Sequence, residues 1–295
     1  MVVDAGGAVR AVLNAWGADR GAELIRRFDH GVGGTSLIEL DGCRRVLKAW
    51  PLKFAGYEAE VDSALTLAEI MRGRGVAVPA LIERGRSAGC GYLVYELIDG
   101  EWSSELGPGA VADMLMVIDA ARDAAPAPNV GWPAELQTML AVGDASFDIA
   151  PDALAGSPAA EAVLAEARHR LHVCDPGALR TTDVMHGDFA PENLLIRDGR
   201  VVGVVDWERA RIGDSGLDLV GAIFDIEIGQ KAPAPLRQSL WSMARDRMPP
   251  DTLAAYVGVY AVRYLSWSVG TDMEGQVVEL ANLTLGMSAV SSPSP

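Results

Sequence analysis

Lysine is nearly missing from this chain. Three lysines, Lys48, Lys53 and Lys231, stand among 295 residues, and the formal net charge is −15. That balance argues against a nucleic-acid partner, because displacing phosphate counterions needs a basic footprint. It suits a cationic small molecule or a metal-bound nucleotide better. Cysteine is just as sparse. Cys43, Cys90 and Cys174 are odd in number, far apart and without metal-type spacing. They give neither a disulfide framework nor a zinc site, and they fit a reducing cytosol. Long hydrophobic runs are absent as well. The opening "MVVDAGGAVRAVLNAWG" carries Asp4 and lacks a basic leader segment, so a signal peptide is not expected. The most apolar late stretch, residues 252–269, is interrupted by Arg263 and is short for a membrane span. It reads as a buried helix, so no membrane partner is expected and a cytoplasmic location is. There is no internal repeat.

What the chain does contain is an ordinary globular mixture, 49% hydrophobic and 22% charged. Residues 4–27 carry apolar positions at helical spacing. "SLIEL" and "RRVLKAW" follow as short β-prone runs, and the Asp41-Gly42 pair between them signals a hairpin. Residues 56–72 return to helical spacing. "VAVPALIERG" and "GYLVYELIDG" read as two further strands. From 101 to 180 the chain turns Ala-rich and helical, with Pro/Gly breaks near 107–109, 126–133 and 151–158. That region holds twelve acidic residues against four arginines. Two short β-like runs follow in "NLLIRDGRVVGVVDW", and then a helical stretch to about residue 288. Residues 289–295 are expected to be a disordered tail. The natural boundary falls near Gly100, giving a β-rich N-lobe (1–100) and a helical C-lobe (101–295).

The chemistry concentrates in "VMHGDFAPENLLIRDGRVVGVVDWE". Pro191 argues against a continuous helix there, so Asp188 and Asn193 lie on a loop entering the strand "NLLI". The turn "RDGR" makes the next two runs a hairpin, which brings Asn193 and Asp206 into one neighbourhood. A carboxylate and an amide oxygen suit Mg²⁺, which is usually held by few protein groups plus substrate phosphates. Asp188 is placed to take a proton from an attacking hydroxyl. This is the layout of phosphoryl transfer, H-x-D-x-x-x-x-N followed by a metal-binding Asp. Each residue alone would read as a turn residue; the four together, with His186, do not.

These residues carry a resemblance. "HGDFAPENLLI" and "VVDWERARIGDSGLDLV" resemble the two catalytic motifs of the aminoglycoside phosphotransferase and choline kinase family. The resemblance implies an α+β, bilobal protein-kinase-like fold, with an antiparallel β-sheet N-lobe and a mostly helical C-lobe. It implies Asp188 as catalytic base, Asn193 and Asp206 as Mg²⁺ ligands, His186 as a structural element of the loop, and Asp218 as its brace. It also implies an N-lobe nucleotide site for ATP (or GTP). "HGVGGTS" offers Gly31, Gly33, Gly34, Thr35 and Ser36 over the phosphates, since glycines let backbone amides approach closely. Lys48 is the phosphate lysine, sharing a strand face with Val46 opposite to Leu47. Lys53, after Pro51, reads as a solvated loop residue. The family's pattern, an acid followed seven residues later by a helix leucine, aligns with Glu60 and Leu67, so the resemblance implies Glu60 as the partner of Lys48, with Glu58 as the fallback. "GYLVYELIDG" is similar to a hinge strand, with Tyr95 as gatekeeper and adenine contacts at Glu96 and Ile98.

The chain also departs from protein kinases. Asp206-Trp207-Glu208 stands where they carry Asp-Phe-Gly, and no Ala-Pro-Glu follows. Regulation by activation-loop phosphorylation and a protein substrate are therefore not expected. Trp207 reads as core packing, and Glu208 as either a second metal ligand or a solvated acid. The expected reaction is transfer of the γ-phosphoryl group to a hydroxyl of a small, cationic molecule, an aminoglycoside-like antibiotic first. A metabolic kinase of choline, homoserine or amino-sugar type is the alternative. A non-catalytic nucleotide-binding module ranks below both, because none of Lys48, Asp188, Asn193 and Asp206 is lost. Tyr260, Tyr264 and Trp267 either line the acceptor site or fill the core. Composition sets no oligomeric state.

Overall fold

Asp41 and Gly42 decide how the first sheet is built. Both take positive φ, 51° and 74°, the backbone of a tight hairpin turn that matches strand twist. They join β2 (Gly34–Leu40) to β3 (Cys43–Pro51). A second turn of the same kind, at Ala88 and Gly89 (φ 51° and 74°), joins β4 (Leu81–Ser87) to β5 (Cys90–Glu96). With β1 (Glu23–Arg27) these strands form a five-stranded antiparallel sheet in the order β1-β2-β3-β5-β4. The structure, a computed structural model, describes residues 5–17, 20–28, 34–52 and 57–286. Gly31, Gly33, Lys53 and the tail 289–295 lie outside the described residues.

The helix expected over 4–27 is shorter. Helix α1 covers Ala5–Trp16 and stops where Gly17 turns to φ 63°, a conformation that ends helices. Residues 23–27 instead form the sheet's edge. The strand expected from "VAVPALIERG" begins only at Leu81.

Alternation along β3 assigns the two faces of the sheet. Leu47 and Ala49 are buried with Val9 and Val12 of α1 and with Ile38 of β2. Val46 and Lys48 take the opposite face. That face meets helix α2 (Tyr57–Gly73), whose Val61 and Leu65 pack on Leu93. The other side of α2, with Ala64, Leu67, Ala68 and Met71, joins the large helical core. Helix α2 is thus a wedge shared by the sheet and the helical part.

The helical part follows the Pro/Gly breaks: α3 (Pro108–Ala121), α4 (Trp132–Val142) and α5 (Pro158–Val173), then α6 (Ser215–Ile228), α7 (Ala234–Arg247), α8 (Pro250–Ser268) and α9 (Met273–Leu285). The late apolar stretch is indeed a buried helix, α8. No helix among the described residues is long and apolar enough to cross a membrane. Two small ladders carry the motif residues between α5 and α6. β6 (Asp183–Met185) pairs with β9 (Arg211–Gly213), and β7 (Leu194–Arg197) pairs with β8 (Arg200–Val204). Cys43, Cys90 and Cys174 are unpaired.

Leu47 is fully buried between sheet and α1. Leu47→Ala is expected to cost about 2–5 kcal/mol of stability, read as a lower denaturant midpoint at an unchanged slope.

Candidate active site

The β7–β8 hairpin sets the register of the motif. Leu194 faces Val204, and the Val205 N–H donates to the Asn193 carbonyl at 2.9 Å. Asn193 and Asp206 therefore stand side by side where the hairpin opens. Asp206 sits in the left-handed region at φ 64°, which turns the chain out of β8 into the short helical turn Trp207–Arg209. Trp207 is buried, and its indole N–H donates to the Val204 carbonyl at 2.9 Å.

The loop before Asn193 is held from beneath. Asp218, in the first turn of α6, accepts the backbone N–H groups of His186 at 2.6 Å and Gly187 at 3.0 Å. Burial pushes the Asp218 carboxyl up to about 7, against the pull of those two amides. His186 is buried between Trp207 and Phe189. Its Nε2–H donates to the Val205 carbonyl at 2.8 Å, and its Nδ1 accepts from the Asp188 N–H at 3.3 Å. These partners fix a neutral tautomer, in keeping with burial, which lowers the histidine pKa. Gly187 has φ 79°, and a Cβ there would collide with the Arg209 carbonyl, so the tight turn requires glycine.

Above this brace the polar groups converge. The Asn193 amide NH₂ donates to the Asp188 carbonyl at 2.7 Å and lies 3.5 Å from Asp188 Oδ2. That leaves the amide oxygen of Asn193 free of Asp188. Asp188 Oδ1 meets Arg263 Nη2 at 2.7 Å. Burial would raise the Asp188 carboxyl, but the charges of Arg263 and Arg209 outweigh it and hold the group below the usual carboxylate range.

From the sheet, Lys48 reaches across to the same strip. Its Nζ lies 3.1 Å from Asp206 Oδ1 and 2.9 Å from Glu208 Oε2. Burial acts to discharge the lysine, and the two carboxylates overcome it and raise its pKa. The Tyr95 hydroxyl donates to Glu208 Oε1 at 3.3 Å. Glu208 is 7% exposed at its side chain, against 40% for Asp206.

Two expectations are corrected. Glu60 does not hold Lys48: its side chain is exposed on α2, and the lysine's ion pairs run to Asp206 and Glu208. The fallback, Glu58, has its side chain outside the described residues. Ser36 does not face the cleft. It pairs directly with Leu47 across the β2–β3 ladder, so it shares the face covered by α1 and is fully buried. Thr35 pairs with Lys48 and is on the cleft side, while Gly34 opens β2 rather than a loop. At the hinge, the Glu96 N–H donates to the Ala80 carbonyl at 3.0 Å, and Glu96 Oε1 accepts from the Ala80 N–H at 2.8 Å. The Ile98 side chain packs over Gly203 of β8.

The residues that sequence reading missed are basic. Arg263 and Arg209 both grip Asp148, which follows the short turn Ala145–Phe147. The signal for Arg263 was present: an arginine inside an apolar helix demands partners. The acidic surplus of residues 101–180 is in large part paired internally, Asp113 with Arg200, Asp144 with Arg211 and Asp148 with Arg209. Along α8, Tyr260, Arg263, Tyr264 and Trp267 share one stripe. Tyr260 and Tyr264 are buried, and Trp267 is 52% exposed, 5.3 Å from the Tyr264 ring.

Residues 13–255 match the model of the phosphotransferase enzyme family, and the chain belongs to that family. Among solved structures it is similar to a thermostable mutant of aminoglycoside phosphotransferase APH(4)-Ia in ternary complex with ADP and hygromycin B. The TM-score is 0.67 at 15% identity, over 95% of this chain and 100% of that one. It is also similar to APH(3'')-Id from Streptomyces rimosus in complex with ADP and streptomycin, with a TM-score of 0.55 at 17% identity, over 88% of this chain and 97% of the other. At these identities the likeness is one of fold: an antiparallel sheet joined to a helical part, as in protein kinases. An Escherichia coli aminoglycoside 3'-phosphotransferase is 48% identical over 54 residues, 18% of either chain. The match thus spans under a fifth of that relative's length.

Asp218→Ala leaves two buried amides without their acceptor. It is expected to cost about 2–4 kcal/mol, measured by chemical denaturation. It should also speed hydrogen exchange at His186 and Gly187.

Proposed function

We propose that this protein transfers the γ-phosphoryl group of ATP (or GTP) to a hydroxyl of a small molecule. The observation that carries the proposal is the meeting of Lys48 from the sheet with Asp206 and Glu208 beside the Asn193–Asp188 loop. An ammonium, two carboxylates and an amide oxygen in one cleft are what a polyphosphate with its cation needs.

Asn193 and Asp206 fit Mg²⁺ by the chemistry of their donors, both hard oxygens, and by their adjacency where the hairpin opens, with the Asn193 NH₂ engaged by the Asp188 carbonyl. They would hold the ion, which when bound would neutralise charge on the phosphates. Lys48 orients the phosphates further from the acceptor. We read Glu208 as the anchor of Lys48 rather than a second metal ligand, because it is buried against that lysine and Tyr95. Adenine is proposed to use backbone groups of Glu96 and Ile98, and Gly31, Gly33, Gly34 and Thr35 to lie along the phosphates. Asp188 accepts the hydroxyl proton as the acceptor oxygen bonds to the γ-phosphorus. The bond to the β–γ bridging oxygen breaks and the nucleoside diphosphate leaves. Positioning and charge neutralisation supply most of the catalysis.

The acceptor is proposed to be aminoglycoside-like. The named neighbours with hygromycin B and streptomycin support this, and so does the α8 stripe leading from Arg263 to exposed Trp267. Such a reaction would confer antibiotic resistance. We further place the lobe boundary near Gly100 and the protein in the cytoplasm, where free cysteines persist.

The test is a phosphotransfer screen with ATP and GTP against hygromycin B, streptomycin, other aminoglycosides, macrolides, amino sugars, homoserine and choline, read by mass. An aminoglycoside is expected to gain one phosphoryl group. Asp188→Ala should lower kcat by about 10²–10⁴-fold, and Lys48→Ala should raise the KM for nucleotide and lower kcat. If no acceptor gains phosphate and Asp188→Ala leaves nucleotide turnover unchanged, the reading is wrong.

A further inference from the structure

Arg263 is an expensive residue where it stands. It lies on α8 among buried Val259, Ala261, Val262 and Leu265, and is itself buried. A guanidinium in such surroundings persists only if its charge and donors are matched. The matching is specific. Nη2 lies 2.7 Å from Asp188 Oδ1 and 3.2 Å from Asp148 Oδ2, and Nη1 lies 3.4 Å from the Tyr260 hydroxyl. The group also lies over the rings of Phe147 and Tyr260, with centroids at 5.8 and 5.5 Å. Asp148 is in turn gripped by Arg209. It sits in a left-handed conformation, φ 55°, at the end of the Ala145–Phe147 turn. A chain of alternating charge, Arg209–Asp148–Arg263–Asp188, therefore links the turn after α4 to the catalytic loop.

This chain has a consequence for the two oxygens of Asp188. Arg263 occupies Oδ1. Oδ2 faces the Asn193 amide at 3.5 Å, too far for a firm hydrogen bond. Oδ2 is the oxygen left for a hydroxyl.

We propose that Arg263 is a positioning residue for Asp188: it fixes the carboxylate's rotation so that Oδ2 is presented to the acceptor, with Asp148 fixing Arg263 in turn. The inference rests on the phosphotransfer reading above. Arg263 contacts Asp188, Asp148 and Tyr260 rather than the residues proposed to hold the nucleotide. Its loss should slow the step that Asp188 serves and spare nucleotide binding, since misplacing a reacting group by an ångström lowers rate steeply.

The experiment measures phosphate release from Mg·ATP with water as acceptor, together with melting temperature, in wild type, Asp188→Ala, Arg263→Ala, Arg263→Lys and Asp148→Asn. Arg263→Ala should lower kcat by about 10–100-fold and leave the KM for ATP within about twofold. Millimolar guanidinium chloride should restore part of the loss, and equal sodium chloride should not. Arg263→Lys should fall between, since it returns the charge without the planar fork. Should Arg263→Ala fail to fold, Asp148→Asn decides, because Asn tolerates the left-handed backbone and the site is half exposed. A several-fold loss of kcat at unchanged KM for ATP supports the proposal, and wild-type kcat overturns it. Wild-type kcat in folded Arg263→Ala, or a loss that guanidinium does not reverse, overturns the proposal alone. Absence of phosphate release in wild type, equal to Asp188→Ala, together with no acceptor gaining phosphate in the screen above, overturns the phosphotransfer reading and this inference with it.

Discussion

The architecture turns on one lysine held between two carboxylates. Lys48 projects from the sheet face opposite to α1 and cannot stay charged there without partners. Asp206 and Glu208 supply them from the turn that closes the β8 strand. The ammonium therefore pins the sheet to the hairpin, and α2 packs into the angle between them. The two acids differ in burial. Glu208 is enclosed and also held by Tyr95, while Asp206 is open enough to share its carboxylate with a cation.

The other half of the site is over-determined in the same manner. The loop His186–Asn193 has its amides tied to Asp218, its imidazole tied to Val205, its carboxylate tied to Arg263 and its closing amide tied to Asp188. Few of these ties come from neighbours in sequence. They come from α6, from the residue that follows β8, and from α8. Such a loop reorganises little when charge moves across it, which is what electrostatic catalysis demands.

Local chemistry made much of this legible in the sequence. The Asp-Gly turns, Asp41-Gly42 and Asp198-Gly199, fixed the β2–β3 and β7–β8 hairpins, because positive φ at two successive residues has few solutions. Pro191 and the spacing from Asp188 to Asn193 to Asp206 brought the strip together, because the loop and hairpin are short. What failed was long-range or facial. The family's acid–leucine pattern points to Glu60, but which acid meets Lys48 depends on how a distant turn docks on the sheet. Ser36 lay next to the glycine run, yet the β2–β3 register turned it to the α1 face. Residues 17–27 kept helical spacing, and Gly17 stopped the helix regardless. Arg263 was visible only as an interruption, since its partners lie 75 and 115 residues away.

If Lys48, Asn193 and Asp206 form a centre for phosphates and a divalent cation, nucleotide and metal must bind together. The most direct measurement is a calorimetric titration with a non-hydrolysable ATP analogue, with and without Mg²⁺, on wild type and Asn193→Ala. The account predicts saturable binding that Mg²⁺ strengthens in wild type, with that Mg²⁺ dependence much reduced in Asn193→Ala. Binding that ignores Mg²⁺ in both proteins, or no saturable binding in wild type, would contradict it.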